Sequence, residues 1–550
     1  MNLPRLTLAA SRSGAGKSTL ALVLLAAMRQ RGLEVQPFKA GPDYIDPTLH
    51  RAACGRPSYN LDAFLLPGRT VRGLFLRHAP PAPGLSIVEG VMGLYDGLGA
   101  GVVASTAHVA ALLKSPVVLV VDAKGQAMSA AALVQGFARF RPKERNGVNL
   151  KSLNIAGVIF NRVAGAGQYA LLRRAVEDNC AIPCLGYLAT ASPTLPQRHL
   201  GLVPAQEMPG LEAHIRTLAT LGKKTLDLDG LIEIAGAAPD FNAQPLRTVA
   251  TSPVLWDSTF RKAGESMPGP REPDPRKAES TARSKEKRRP PVCLGIAQDA
   301  AFSFYYQDNF DYLRELGARI IFFSPLRDSS LPPNLDGVFL GGGFPEIFAP
   351  ELENNRCFRS SLFHALEEGM PAYAECGGLL YLCKSLTPLL RPENPASSLL
   401  TKNEGEAPGL RPGSSTPDKG LATEDRAYAM CGFFPHAAQM TPRLQTFGYA
   451  RARLRAACPL GPAQRSFSAH EFHYSRIVAP EEENDSSLLF PLMDMEKPDG
   501  RAWSGGLWKK NTVAGYAHLY FRGCPEVMAS FLALCSALRK GGKKRGERIC

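Results

Sequence analysis

A chain of 550 residues with 45% hydrophobic content holds enough apolar material for more than one core, which excludes small disulfide-held scaffolds and chains too polar to fold. Its 12 cysteines are scattered without a Cys-x-x-Cys pair, so they read as reduced thiols rather than as disulfides or a metal cage. Most of the net charge of +14 lies in residues 261–290 and 539–550, a tether and a tail, which argues against a nucleic-acid partner.

The first half is expected to alternate strand and helix. A short apolar strand over 6–10 leads directly into Ser11-Arg12-Ser13-Gly14-Ala15-Gly16-Lys17-Ser18, then a helix over 18–31 with Gly32 as its stop. No cationic and apolar leader precedes that strand, and the apolar run 20–28 is too short to span a bilayer. A cytoplasmic chain with no membrane partner is therefore expected. The loop is a phosphate loop whose first Gly is replaced by Ser. Small residues let backbone N–H groups wrap a phosphate, Lys17 reaches the outer phosphates, and Ser18 offers its hydroxyl to Mg²⁺. Residues Ser13, Gly14, Ala15, Gly16, Lys17 and Ser18 are accordingly expected to bind ATP.

Further strands are expected near 34–38, 85–89, 117–122 and 155–161, several of them β-branched runs suited to a central parallel sheet. Strands separated by helices make a doubly wound α/β sheet, with ligands at the carboxyl ends of the strands. Asp43 and Glu89 follow two of these strands and would supply the anionic oxygen that Mg²⁺ needs. Asp96 precedes Gly97 and suits either a site or a turn, and Asn161 suits either the nucleotide base edge or a turn.

From about Pro239 the pattern fades. The expected division is a first domain over 1–238, a largely disordered linker over 239–291, a second domain over 292–538 and a basic tail over 539–550. A Pro-, Gly- and Ser-rich surface insertion is expected at 391–424. The second domain repeats the alternation, with strands near 292–297, 318–323, 337–340 and 371–376.

Ala372-Tyr373-Ala374-Glu375-Cys376-Gly377-Gly378 has the form of a nucleophile elbow: a strand, a sharp turn of small residues, then a helix whose N-terminus favours thiolate. The loop Leu340-Gly341-Gly342-Gly343 follows another strand, and backbone donors at Gly342 and Gly343 would form an oxyanion hole. His518 is the best base for Cys376. The run Ala469-His470-Glu471-Phe472-His473-Tyr474, read as a strand, turns residues 471 and 473 to one face, without a third ligand at zinc spacing.

Taken together, the phosphate loop, the run from Phe38 to Pro47, Asn60-Leu61-Asp62, the run from Glu89 to Gly97, the triple-Gly loop, Cys376 and His470 to Tyr474 resemble the cobyrinate a,c-diamide synthase family. The resemblance covers nearly the whole chain outside the linker and the insertion. It implies a dethiobiotin-synthetase-like P-loop ATPase domain fused to a class I glutamine amidotransferase-like, flavodoxin-like domain. It also implies ATP- and glutamine-dependent amidation of the a and c carboxylates of cobyrinate, in cobalamin biosynthesis.

On that resemblance Cys376 matches the nucleophile and His518 the residue that activates it. Lys17, Ser18, Asp43 and Glu89 match the Mg-ATP site, Asn161 faces adenine, and Tyr44 and Ile45, with Asp96, border the substrate carboxylates. Tyr520 stands where other amidotransferases carry an acid two positions after the catalytic histidine, and no third member is assigned. The same chemistry fits hydrogenobyrinate, siroheme or nickel-sirohydrochlorin. A partitioning ATPase would need no Cys376. The expected partners are L-glutamine and the tetrapyrrole acid, with a homodimer as the candidate assembly.

Overall fold

The computed structural model describes residues 1–143, 147–190, 197–198, 201–246, 291–389, 426–480 and 488–539. The expected insertion at 391–424, the linker between 247 and 290 and the tail beyond 539 lie outside the described residues.

The first domain is built on a seven-stranded parallel sheet. Its strands are β1 (Arg5–Ala10), β2 (Val35–Ala40), β3 (Tyr59–Leu61), β4 (Leu85–Glu89), β5 (Val117–Asp122), β6 (Ile155–Val163) and β7 (Cys184–Ala189), in the order β3-β2-β4-β1-β5-β6-β7. The strands of this sheet are largely buried, since helices cover both faces, and that is why they read as continuous apolar runs. Helix α1 (Lys17–Gln30) is apolar almost all round, because it lies between the sheet, α2 (Asp46–Cys54) and the helix Leu211–Thr225. The last approaches so closely that a Cβ on Gly222 would stand 2.5 Å from Val23. The phosphate loop follows β1 between β4 and β5, where the strand order reverses and ligands collect.

The segment expected to open the linker is in fact docked on the first domain. Arg5, fully buried, donates to the carbonyls of Leu3, Leu113 and Pro239, the last at 2.6 Å. Phe241 packs on Phe75 at 5.0 Å and lies beneath the Arg5 and Arg72 guanidinium groups. Satisfying a buried cation with a carbonyl of residue 239 binds that stretch into the core.

In the second domain, five parallel strands run in the order Ala318–Phe323, Val292–Ala297, Gly337–Leu340, Ala372–Glu375, Thr512–Gly515, which is the flavodoxin-like 2-1-3-4-5 arrangement. The strands Leu507–Lys509 and Leu488–Leu489 extend it antiparallel. Two four-stranded sheets are added from residues 383–505, and the strand pair Thr446–Leu454 with Ser466–His473 belongs to the second of them.

Buried tyrosines join the domains. The Tyr59 hydroxyl donates to Asp311 at 2.9 Å, that of Tyr449 to Asp62 at 2.7 Å, and that of Tyr520 to the Asn60 carbonyl at 3.0 Å. Tyr306 and Tyr520 share one apolar cluster with Phe38 and Phe75 of the first domain.

Candidate active site

The phosphate loop takes its shape from two left-handed glycines, Gly14 at φ 74° and Gly16 at φ 98°. Gly16 caps α1, and Asn161 at the end of β6 donates to the Ala15 carbonyl at 2.9 Å, bracing the loop from behind. Lys17 is buried and donates to the Met92 carbonyl. Burial, then repulsion from Lys39, pushes its ammonium down to about 8.

Around Ser18 the strand ends deliver a charged cluster. The Ser18 hydroxyl donates to Glu89 Oε1 at 2.7 Å and lies 3.3 Å from Asp46 Oδ2. Lys39 Nζ donates to the same Glu89 oxygen at 2.8 Å and to Asp46, with Asp43 Oδ2 3.8 Å away. His50 Nε2 meets Glu89 Oε2 at 2.6 Å, and its Nδ1 meets Ser58 at 3.0 Å.

Burial works to raise both buried carboxyls. For Asp46, burial together with Asp43 and Glu89 outweighs Lys39, and its pKa rises. For Glu89, Lys39 and His50 outweigh burial, and its pKa falls. Glu89 is thus the ionised member, and a hydroxyl with neighbouring carboxylates is a hard-oxygen set that fits Mg²⁺.

Two expected site residues spend one oxygen on a turn. Asp43 Oδ1 accepts the N–H groups of Ile45 and Asp46 at 2.9 and 3.0 Å, which leaves Oδ2 toward Lys39. Asp96 Oδ2 accepts the Gly93 N–H at 3.0 Å, fixing the 90–97 loop.

In the second domain Cys376 sits at φ 46° and ψ −102°, a strained backbone that turns its thiol out of the strand at the head of the helix Gly377–Leu382. His518 interacts electrostatically with that thiol. Burial would lower the imidazole, but Cys376 and then Glu375 overcome it and raise it to about 10, so it is held as imidazolium. Gly342 is glycine because a Cβ there would stand 2.6 Å from His518 Cε1. A Cβ on Gly377 would stand 3.0 Å from the Gly343 nitrogen, so that amide lies against the elbow.

The phosphate-loop centre and His518 line one cavity of about 1120 Å³ between the domains. Its wall includes Lys17, Ser18, Asp43, Glu89, Asp96 and Asn161 on one side, and Phe447, His470 and His518 on the other. Tyr44 stands at the junction. Its ring lies 5.0 Å from that of His518, 4.7 Å from Tyr306, and stacks on Phe304 at 5.4 Å.

Residues 6–202 match the CobQ/CobB/MinD/ParA nucleotide binding domain, and residues 294–403 match the CobB/CobQ-like glutamine amidotransferase domain. A cobyrinate a,c-diamide synthase of Listeria innocua is 39% identical over 530 residues, covering 95% of this chain and 98% of that protein. One from Streptococcus sanguinis is 37% identical over 532 residues, covering 96% and 97%, and one from Priestia megaterium 33% over 542, covering 98% and 99%. The chain belongs to the cobyrinate a,c-diamide synthase family. It is a ligase that forms amide bonds with glutamine as nitrogen donor, and it carries a nucleotide-binding domain.

Of the residues the resemblance singles out, the structure sets His518 beside Cys376 and Ser18 against Glu89. Several neighbours went unread in the sequence. Asp46 and His50 are one helical turn apart and face the same carboxylate cluster, an i,i+4 pattern that could have disclosed them. Lys39 gave no local signal, because its role depends on three strand ends meeting.

The His470–His473 run is a strand, as expected, and splits its functions by face. His470 turns to the cavity and exchanges backbone hydrogen bonds with His518 at 2.9 and 3.1 Å. On the other face Glu471 accepts from Trp503 at 3.1 Å and lies 3.8 Å from His473 Nε2.

Proposed function

We propose that the protein amidates the a and c carboxylates of cobyrinate in turn, using ATP to activate each carboxylate and ammonia drawn from glutamine. The observation that carries this reading is the single cavity walled by both the phosphate loop and His518. The relatives, cobyrinate a,c-diamide synthases, favour cobyrinate over other tetrapyrrole acids.

At the elbow, the Cys376 thiolate attacks the side-chain amide carbon of glutamine, and amides at Gly342 and Gly343 receive the developing oxyanion. The tetrahedral adduct collapses by breaking its C–N bond. The proton on His518 passes to the departing nitrogen, ammonia leaves, and a glutamyl thioester remains. Water then attacks the thioester carbonyl, His518 takes its proton, and glutamate departs with the thiolate restored.

At the phosphate loop, Lys17 and the amides of residues 13–18 hold the ATP phosphates, with Asn161 at the adenine end. Ser18, Glu89 and Asp43, with Asp46 beside them, would hold Mg²⁺, which neutralises phosphate charge when bound. Tyr44, Ile45 and Asp96 border the macrocycle carboxylate. A carboxylate oxygen attacks the γ-phosphorus and ADP leaves. Ammonia then displaces phosphate from the acyl phosphate, giving the amide.

The test uses Cys376→Ala with cobyrinate, ATP and either amide-¹⁵N glutamine or ammonium. Glutamine-dependent product should vanish while ammonium restores amidation to near the parent rate. A folded variant that ammonium fails to rescue contradicts the division of labour, and a parent enzyme that leaves cobyrinate unchanged contradicts the substrate.

A further inference from the structure

The position two residues after His518, where an acid would complete a Cys-His-acid set, holds Tyr520. That side chain is committed elsewhere: its hydroxyl donates to the Asn60 carbonyl at 3.0 Å across the domain interface, and its ring stacks on Tyr306 at 4.7 Å. His518 is nevertheless buried and needs a charge partner to remain imidazolium beside a thiol.

The partner comes from the elbow strand itself. Glu375, only 3% exposed, directs Oε2 to His518 Nδ1 at 3.3 Å. The contact is an ion pair whose alignment falls short of a hydrogen bond. Its other oxygen is clamped: Oε1 accepts the Tyr373 hydroxyl at 2.7 Å and the Leu519 N–H at 3.0 Å. The second of these donors is the residue after His518, so one carboxylate fixes both the imidazole and the backbone that carries it.

We propose that Glu375, the residue immediately before the nucleophile, is the positioning acid of the glutaminase site, replacing the absent acid two residues after the histidine. It touches neither glutamine nor the reacting carbon. It acts through His518, holding Nδ1 protonated so that the opposite edge of the ring faces Cys376.

The groups that face the imidazole from each packed element agree with this. Cys376 lies on the helix head, Tyr44 comes from the first domain, and His470 faces it from the neighbouring strand. Burial, then His518 and Lys497, push His470 down to about 3, so it stands neutral beside His518. Cys524, near Glu375, is pushed up by burial and by Glu375 itself and stays a neutral thiol. Glu375 is therefore the one carboxylate among these neighbours.

The inference rests on the glutaminase reading of Cys376 and His518, and the test separates the two. Glutamine hydrolysis by the full chain with Mg-ATP is followed against pH for the parent, Cys376→Ala, Glu375→Gln and Glu375→Asp, with thermal unfolding as the fold check. Glu375→Gln should lower kcat by about ten- to a hundredfold with little change in KM for glutamine. The alkaline limb of the profile should move to lower pH by about one unit, because the imidazolium loses its stabilising charge. Glu375→Asp keeps the charge and should show a smaller loss and a smaller shift in the same direction.

A folded Glu375→Gln with the parent's alkaline limb overturns the proposal, since a purely structural role would lower the rate without moving the limb. If Glu375→Gln does not fold, the Asp variant decides, and an unmoved limb there overturns it equally. Parent-like hydrolysis in Cys376→Ala would instead remove the glutaminase reading itself.

Discussion

Single residues in this site do their work through charge placed out of water. His470 is the clearest case for a stability measurement. It is buried among Phe447, Tyr449 and His518, and its pKa falls from an ordinary 6.5 to about 3. In the unfolded chain it binds a proton below 6.5, whereas in the folded chain it does so only below about 3. The unfolded state therefore carries more protons between those values, and this residue subtracts stability as pH falls through that window. His518 has the opposite sign: its stabilising contribution is complete below 6.5 and is lost as pH rises through about 10. Replacing His470 with Phe should leave stability near neutral pH close to the parent's and give a growing relative gain, up to a few kcal/mol, as pH falls from 6.5 toward 5. Denaturant melts of both proteins across that range check this, and parallel curves would contradict the buried neutral state. The carboxylates Asp46 and Glu375 escaped sequence reading for a related reason. Their meaning lies in what a folded neighbour presents to them, Lys39 in one case and His518 in the other.

Elements position these charges, and their legibility follows from burial. The parallel strands were readable as apolar β-branched runs, and the phosphate loop and elbow as small-residue turns between strand and helix. The added sheets of the second domain were not, apart from the His470 strand. Many of their strands span two to four residues, for example Met493–Glu496 and Ala502–Gly505, too short for a periodic signal. The 239–246 stretch was misread because its anchor is a carbonyl that any residue could supply.

Within the phosphate loop, element geometry makes a sharp prediction. Gly16 has φ 98°, and an added Cβ would stand 2.0 Å from Asn161 Nδ2. Gly16→Ala should cost about 1–2 kcal/mol from the left-handed backbone alone, with the Asn161 clash on top. ATP binding by calorimetry should fall at least tenfold, while iodoacetamide still labels Cys376 at the parent rate. Adding Asn161→Ala should recover only part of the affinity, because the backbone cost persists; full recovery would show that the clash was the whole effect.

At the scale of the molecule, residues of both domains wall one cavity. Hydroxyls of Tyr59, Tyr449 and Tyr520 cross the interface to buried or half-buried acceptors, and the cavity they enclose runs from Ser18 to His518 with Tyr44 between. On the proposed reaction, ammonia formed beside His518 would enter the space where ATP would activate a carboxylate. The most direct measurement supplies cobyrinate labelled with ¹⁸O in its carboxylates, together with ATP, Mg²⁺ and glutamine, and follows the label by mass spectrometry of the released phosphate. The account predicts one ¹⁸O transferred to inorganic phosphate for each amide formed, with ADP as the nucleotide product. Amide formation with the label in AMP, or with unlabelled phosphate, would contradict it.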